Sequence, residues 1–418
     1  MPILIEIGMA FAYLSFCRPA ENNQRRDLVE SLISTRMPYS KIRQMMDAAT
    51  KIEESGTHLI HLEIGRPDFN TPDNIIQAAI DALKAGKVHY TANAGIIELR
   101  KVIAQKYLSR HRLAYDPATE VLVTNGVAEA IYLAIRSLLN PGDQVLIPNP
   151  TWINYEIVPL TGFIEPVSYS LNEGNGFAPD VDELERLVTP RTRMLVLVNP
   201  SNPTGKLLSL DQLHNLANFA KKHNLIVASD EVYEDIVYAP AEFNSIATLP
   251  DMQNRTVILN GFSKSYSMTG WRIGYAIGKR EFINPMLRLH QYALTSVNSF
   301  AQWGAVEALE GTQEPLKMML AEFTRRKDFI YDRISHIDGL SCSKPEGAFY
   351  LFINVKGLGL SGHEAADILL KEYGVVTVPG ESFGSQGAGY LRISYASSME
   401  DLIEAGNKFE QFAQTYKK

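Results

Sequence analysis

From residue 117 onward the chain alternates short apolar runs with helical stretches, and few architectures absorb that pattern. The runs at 120–124, 144–147, 164–167, 194–198, 225–229, 256–259 and 275–277 read as strands. Helices fit at 128–139, 210–223 and 297–310. Strands that alternate with helices imply a largely parallel sheet covered on both faces. In such sheets ligands collect at the carboxyl ends of the strands. The polar and glycine-rich residues of this chain fall there: Thr124-Asn-Gly126, Asn199 to Gly205, Asp230-Glu-Val-Tyr233 and Asn260 to Lys264.

The flanks read differently. Ahead of the alternating region come a helix over 40–55 with Ser40 as its N-cap, and a short extended run from His61 to Phe69. A second helix is expected over 72–85, capped by Thr71 with Pro72 in its first turn. The loop Tyr90-Thr-Ala-Asn-Ala-Gly95 then leads into a helix over 97–111. Behind the alternating region a long helix (314–337), a strand (349–354), a helix (362–373), strands at 375–378 and 390–394 and a closing helix from Met399 describe a small α+β domain. It is expected to pack with the N-terminal segment. The resulting division is 37–75 and 311–418 for the smaller domain and 76–310 for the larger one, which a chain of 418 residues is long enough to form.

Residues 1–36 carry no motif. The stretch 3–17 is mostly apolar, but Glu6 interrupts it and no basic residue precedes it, so it makes a poor signal peptide and is too short to span a bilayer. These residues read as an N-terminal arm or an over-long start. A net charge of −7 without a basic block argues against nucleic-acid binding. Cys17 and Cys342 are far apart and lack metal-ligand spacing, so neither a disulfide framework nor a metal site is expected, and the cytoplasm is the expected location.

Chemistry is concentrated in the stretch Asn260-Gly-Phe-Ser-Lys-Ser-Tyr-Ser-Met-Thr-Gly-Trp-Arg-Ile-Gly-Tyr275. A lysine at the exit of a core strand is costly to bury charged, which lowers its pKa and makes Lys264 a candidate nucleophile. Taken alone it also fits a lysine that snorkels to the surface. Asp230 follows a strongly apolar strand and needs a cationic or donor partner, such as a protonated pyridine nitrogen, unless it merely caps the next turn. Tyr233, three positions on, reaches toward the same ring or packs in the core. Gly126-Val127-Ala128 opens a helix with free backbone N–H groups suited to a phosphate, and Arg272 can add a charge-assisted contact. In Asn199-Pro-Ser-Asn-Pro-Thr-Gly205 two prolines hold Asn202 rigidly, although Asn-Pro also occurs in plain turns. Trp152 offers a flat stacking face or a core ring. Arg392, inside the apolar strand Tyr390-Leu-Arg-Ile-Ser, awaits either a substrate carboxylate or an internal salt bridge.

In this order, these motifs resemble those of the fold-type I, pyridoxal phosphate (PLP)-dependent aminotransferases of class I/II. The match runs from about Ser40 to the C-terminus, and the Lys264 segment is the most specific part of it. The resemblance implies an α/β fold with a mostly parallel seven-stranded sheet, flanked by helices and joined to a smaller α+β domain. It implies that Lys264 forms the Schiff base with PLP and carries the proton transfer, and that Asp230 pairs with the pyridine nitrogen. Tyr233 and Asn202 would bond the ring hydroxyl, and Trp152 would stack on the ring. Gly126, Val127, Ala128 and Arg272 would bind the phosphate. Arg392, Asn202 and the backbone of Gly65 would hold the substrate α-carboxylate. Tyr90 would reach the phosphate of a neighbouring subunit, making the active unit a homodimer.

One position departs from the pattern. Some members carry serine three residues before the lysine as a phosphate ligand, whereas this chain has Gly261, which leaves backbone amides, Ser263 or Arg272. The segment 291–302 has no arginine to match the dicarboxylate-binding one of an aspartate aminotransferase subgroup. The chain is most similar to the prokaryotic aspartate aminotransferase-like subgroup, so aspartate with 2-oxoglutarate is the expected substrate pair. Broad, aromatic, alanine or branched-chain specificity is the alternative. Another fold-type I PLP enzyme, such as a lyase, and a non-catalytic PLP-binding regulator are the rival classes. From the lack of motifs in 1–36 we expect a chain starting at Met37 to fold and keep its turnover; a folded but inactive truncation would refute this.

Overall fold

The computed structural model describes residue 31 and residues 33–417. The apolar run 3–17 and most of the polar segment that follows it lie outside the described residues. The chain divides once, after Pro38, and Tyr39 onward forms one unit.

Seven strands make the central sheet: β1 (Val121–Thr124), β2 (Gln144–Asn149), β3 (Glu165–Ser170), β4 (Thr192–Val198), β5 (Ile226–Asp230), β6 (Thr256–Gly261) and β7 (Gly274–Ile277). Their order is β1-β7-β6-β5-β4-β2-β3, and only β7 runs antiparallel to its neighbours. Each expected run is a strand, so the alternation was read correctly. The ends differ: β2 and β6 run two residues further, through Pro148-Asn149 and Asn260-Gly261, and β5 takes in Asp230 itself. The reason is pairing. Val198 lies opposite Asp230, and Asp230 opposite Leu259, so the ladder holds polar residues that hydropathy alone leaves out.

Helices cover both faces. Ile97–His111 and Ser299–Glu310 enclose one part of the core, and Gly126–Leu138 with Arg280–Ala293 another. The last of these, like the short helices Asn154–Leu160 and Val181–Leu187, was not expected from the sequence. Pro285 sits inside one and Pro159 inside another, and an interior proline disguises a helical pattern.

The C-terminal region forms a four-stranded antiparallel sheet from Ser341–Cys342, Tyr350–Asn354, Val378–Pro379 and Tyr390–Ser394. The helices Glu314–Ser335, Gly362–Tyr373 and Met399–Tyr416 accompany it. The strand expected over 375–378 is two pieces. Val375–Val376 pairs in parallel with Ile60–His61, and after Thr377 the chain joins the other sheet. The Leu62 carbonyl then accepts from Ser394 N at 2.7 Å, which ties the N-terminal run to the strand carrying Arg392. Thr71 also differs from expectation. Helix Asp73–Lys84 has no side-chain cap, because the Thr71 hydroxyl donates to the Ser267 carbonyl (2.7 Å) and accepts from Trp271 Nε1 (3.0 Å).

The loop after β5 is anchored by buried charge. Glu234 pairs with Lys106 of helix Ile97–His111, lies 3.2 Å from His111 Nε2 and accepts from Asn260 Nδ2 at 2.6 Å. Burial opposes its ionisation, but Lys106 and His111 outweigh burial, so its carboxyl is pushed down to about 2. The contribution is therefore present above the ordinary glutamate range and is lost as pH falls toward 2. Replacing Lys106 by Met strands the Glu234 charge, and urea denaturation at neutral pH should register a loss of about 3–5 kcal/mol. An unchanged midpoint would show that the pair does not hold this loop.

Candidate active site

The carboxyl ends of β4, β5 and β6 meet the small sheet around a cavity of about 340 Å³. At its floor stands Asp230, which is buried and accepts from Tyr155 Oη (2.8 Å) and the Val232 amide (3.3 Å). Burial pushes its carboxyl up to about 6 against those two hydrogen bonds and the charge of Lys264. A carboxylate raised this way lacks positive charge, so a cationic N–H placed against it would be bound strongly. Tyr155 was not foreseen. Its helix begins just beyond Trp152, and nothing local marks it as a partner of a strand 75 residues away.

Lys264 follows β6, and its Nζ donates to the Gly65 carbonyl at 2.6 Å. Desolvation, with Arg392 and Arg272 adding to it and Asp230 opposing, pushes its ammonium down to about 8. Lys264 lines the cavity with its Nζ turned to that backbone carbonyl, and the lowered pKa leaves the amine partly neutral near physiological pH.

Arg392 lies in the strand Tyr390–Ser394 and is 2% exposed. It makes no salt bridge among the described residues. Its Nη1 reaches Asn202 Oδ1 at 3.4 Å, Nη2 donates to the Glu63 carbonyl, and Nε has no partner. The guanidinium lies 4.5 Å from the centre of the Tyr350 ring, and Tyr350 Oη is 2.7 Å from Tyr233 Oη. Burial pushes this arginine's pKa down, a direction that an incoming carboxylate would reverse. The internal salt bridge considered from sequence is therefore absent among the described residues. Tyr350 and Glu63 were missed because each sits in a run read only as a strand. The charged residue in Leu-Glu-Ile was the available signal.

The remaining predicted residues cluster at the other end. Gly126 opens helix Gly126–Leu138 with φ +73°, and a β-carbon there would meet Arg272 Nη2 at 2.5 Å. Gly274 is equally constrained, since its β-carbon would lie 2.6 Å from Gly126 C and 2.7 Å from Val127 N. Backbone amides, rather than side chains, consequently face this corner. A β-carbon at Gly261 would lie 3.1 Å from Gly274 Cα and from Val127 Cγ2, a tight fit. Arg272, Val127, Ala128, Ser263 and Trp152 all line the cavity. Tyr90 does not; it is 89% exposed on its loop.

An anion-binding corner, a buried carboxylate short of a cation, a partly neutral lysine and an unpaired arginine together fit an aromatic, phosphorylated cofactor and a carboxylate substrate. No group of His, Cys, Asp or Glu suited to a metal occurs among the described residues, nor does any helix there that is long and apolar enough to cross a membrane.

Helix Lys41–Glu53, with Ile42, Arg43 and Met46, closes one wall of the cavity and was not assigned to the site from sequence.

Known proteins resemble this chain over most of its length. The profile described as Aminotransferase class I and II matches residues 57–408. An aromatic-amino-acid aminotransferase of Thermococcus litoralis is 40% identical over 374 residues, 89% of this chain and 95% of its own. An aspartate aminotransferase of Pyrococcus horikoshii is 39% identical over 375 residues, 89% and 94% of the two chains. The crystal structure of an aspartate aminotransferase from Rhizobium meliloti superposes with a TM-score of 0.89 at 35% identity, covering 93% of this chain and 99% of that one. A seven-stranded sheet whose strand ends supply lysine, aspartate and a glycine-built anion corner therefore has its explanation in descent: the chain belongs to the class I and II aminotransferases, enzymes of PLP fold type I that transfer amino groups with pyridoxal 5'-phosphate.

Proposed function

We propose that this transaminase moves the amino group of L-aspartate to 2-oxoglutarate, with Lys264 as the cofactor-linked Schiff-base lysine and Arg392 as the α-carboxylate site. The observation that carries the reading is the buried guanidinium of Arg392, free of any salt bridge among the described residues and facing the same cavity as Lys264. PLP, when bound, supplies an electron sink for the carbanion left at the substrate α-carbon.

The chain's residues do the rest. Asp230 keeps a proton on the cation placed against it and thereby keeps that sink effective. Tyr233 and Asn202 would hold the ring oxygen, Trp152 would stack on the ring face, and Gly126, Val127, Ala128, Ser263 and Arg272 would hold the phosphate. Arg392, with Asn202 and the Gly65 backbone, orients the substrate so that its α-hydrogen faces Lys264. The Lys264 amine would be the group that takes that proton and holds it for return, and its lowered pKa, about 8, leaves it partly neutral for the task.

The active unit in this reading is a cytoplasmic homodimer. Tyr90 would be the residue that reaches a partner's phosphate, a role its exposure outside its own cavity supports. The domain division at residues 76 and 311 is part of the same reading, supported by the separation of the seven-stranded sheet from the two-stranded and four-stranded ones. The apolar wall formed by Ile42, Met46, Ile131 and Trp152 favours a second reading, an aromatic donor.

Lys264→Ala should still take up the cofactor, lack the absorbance of the covalent lysine–cofactor link and lose roughly 10⁴-fold in transamination; retained turnover would refute the assignment. A panel of amino donors with 2-oxoglutarate, followed by keto-acid formation, should rank aspartate first. A tyrosine or phenylalanine preference would select the aromatic reading.

A further inference from the structure

The cavity contains two carboxylates, and the proposed function uses only Asp230. The other is Glu63, which is 1% exposed. Its Oε1 is 2.9 Å from His61 Nδ1, and its Oε2 has no partner. Its own backbone carbonyl accepts from Arg392 Nη2, so a buried negative charge stands beside the cation read as the carboxylate site. Uncompensated, that charge repels an incoming carboxylate through a medium that screens poorly.

His61 is placed to compensate it. Its second ring nitrogen, Nε2, is 3.0 Å from Glu53 Oε1, at the last residue of helix Lys41–Glu53. With a carboxylate at each nitrogen, both nitrogens act as donors and the ring is an imidazolium. Across the strand pair His61 faces Val376, which is apolar, and Ser397 Oγ donates to the His61 carbonyl at 3.0 Å. Glu63 and Glu53 are thus the charged groups acting on the ring. Glu63 raises its pKa most, burial opposes and Glu53 assists, for a value of about 9.

We propose that His61 is a positioning residue for substrate binding: its imidazolium cancels the Glu63 charge beside Arg392 and so sets the affinity of the cavity for carboxylate substrates. The inference rests on Arg392 being the carboxylate site. Because the raised pKa belongs to the proton-on form, compensation is complete below the ordinary histidine range and is lost as pH rises through about 9.

The test compares holoenzyme carrying His61→Gln, Glu63→Gln, both together, or Arg392→Gln with the parent. The readouts are KM, kcat and the dissociation constant of succinate, followed by quenching of tryptophan fluorescence. His61→Gln should raise KM and the succinate constant about tenfold, the effect of one charge roughly 10 Å away at an effective dielectric of about 20. Its kcat should stay within about twofold, and the rise of parental KM through pH 9 should be missing. Adding Glu63→Gln should restore both constants to near the parent's values. Unmoved constants in His61→Gln, or a defect that Glu63→Gln fails to rescue, would overturn the inference while leaving the function standing, provided Arg392→Gln raises KM. If Arg392→Gln leaves KM unmoved, the carboxylate reading falls and the inference with it.

Discussion

Asp230 closes a central strand of the sheet, where neighbouring strands on both sides and the Tyr155 ring beneath exclude water from its carboxylate. Two hydrogen bonds fall short of replacing that water, and the carboxyl accordingly rises to about 6. A fold that keeps such a group needs a cation to complete it, and the surrounding residues are arranged to leave space for one. The same desolvation lowers the pKa of Lys264, so that burial favours the neutral form of both groups. One dry pocket thus prepares an anion in want of a cation and an amine in want of a proton.

The positions of these groups depend on contacts behind them. The buried pair of Glu234 and Lys106, reinforced by His111 and Asn260, fastens the loop that follows Asp230 to a helix on the sheet's far side. Gly274 lets β7 approach the Gly126 turn so closely that no side chain fits between them, and this leaves the helix opening as bare backbone. Anion binding there is a consequence of packing density as much as of charge.

The proposed carboxylate site rests on the smaller sheet. The run from Ile60 to Leu62 is stitched between Val375–Val376 and Ser394, and this seam brings Glu63, Gly65 and Arg392 to the cavity edge together. Helix Lys41–Glu53 lies over the same edge and reaches the seam through Glu53 and His61. The cavity edge is therefore built from segments more than 300 residues apart, and the adjoining wall mixes apolar groups with Arg43.

By itself the sequence determined the class of fold, the seven strands and the segments bearing Lys264, Asp230, Asn202, Arg272 and Arg392. Those features are local: hydropathy period, turn residues and a contiguous motif need no knowledge of what packs against them. Tertiary structure decided what those residues touch. Tyr155 under Asp230, Tyr350 beside Tyr233, Glu63 behind Arg392 and the His61 bridge are pairings between distant segments, and no periodicity encodes them. It also decided the split at Thr377 and the use of the Thr71 hydroxyl, because a strand or a cap takes whichever partner the assembled fold brings within reach. Charge at the strand ends was legible from the chain; the pairing that sets how each charge behaves arose only when the two sheets closed on one another.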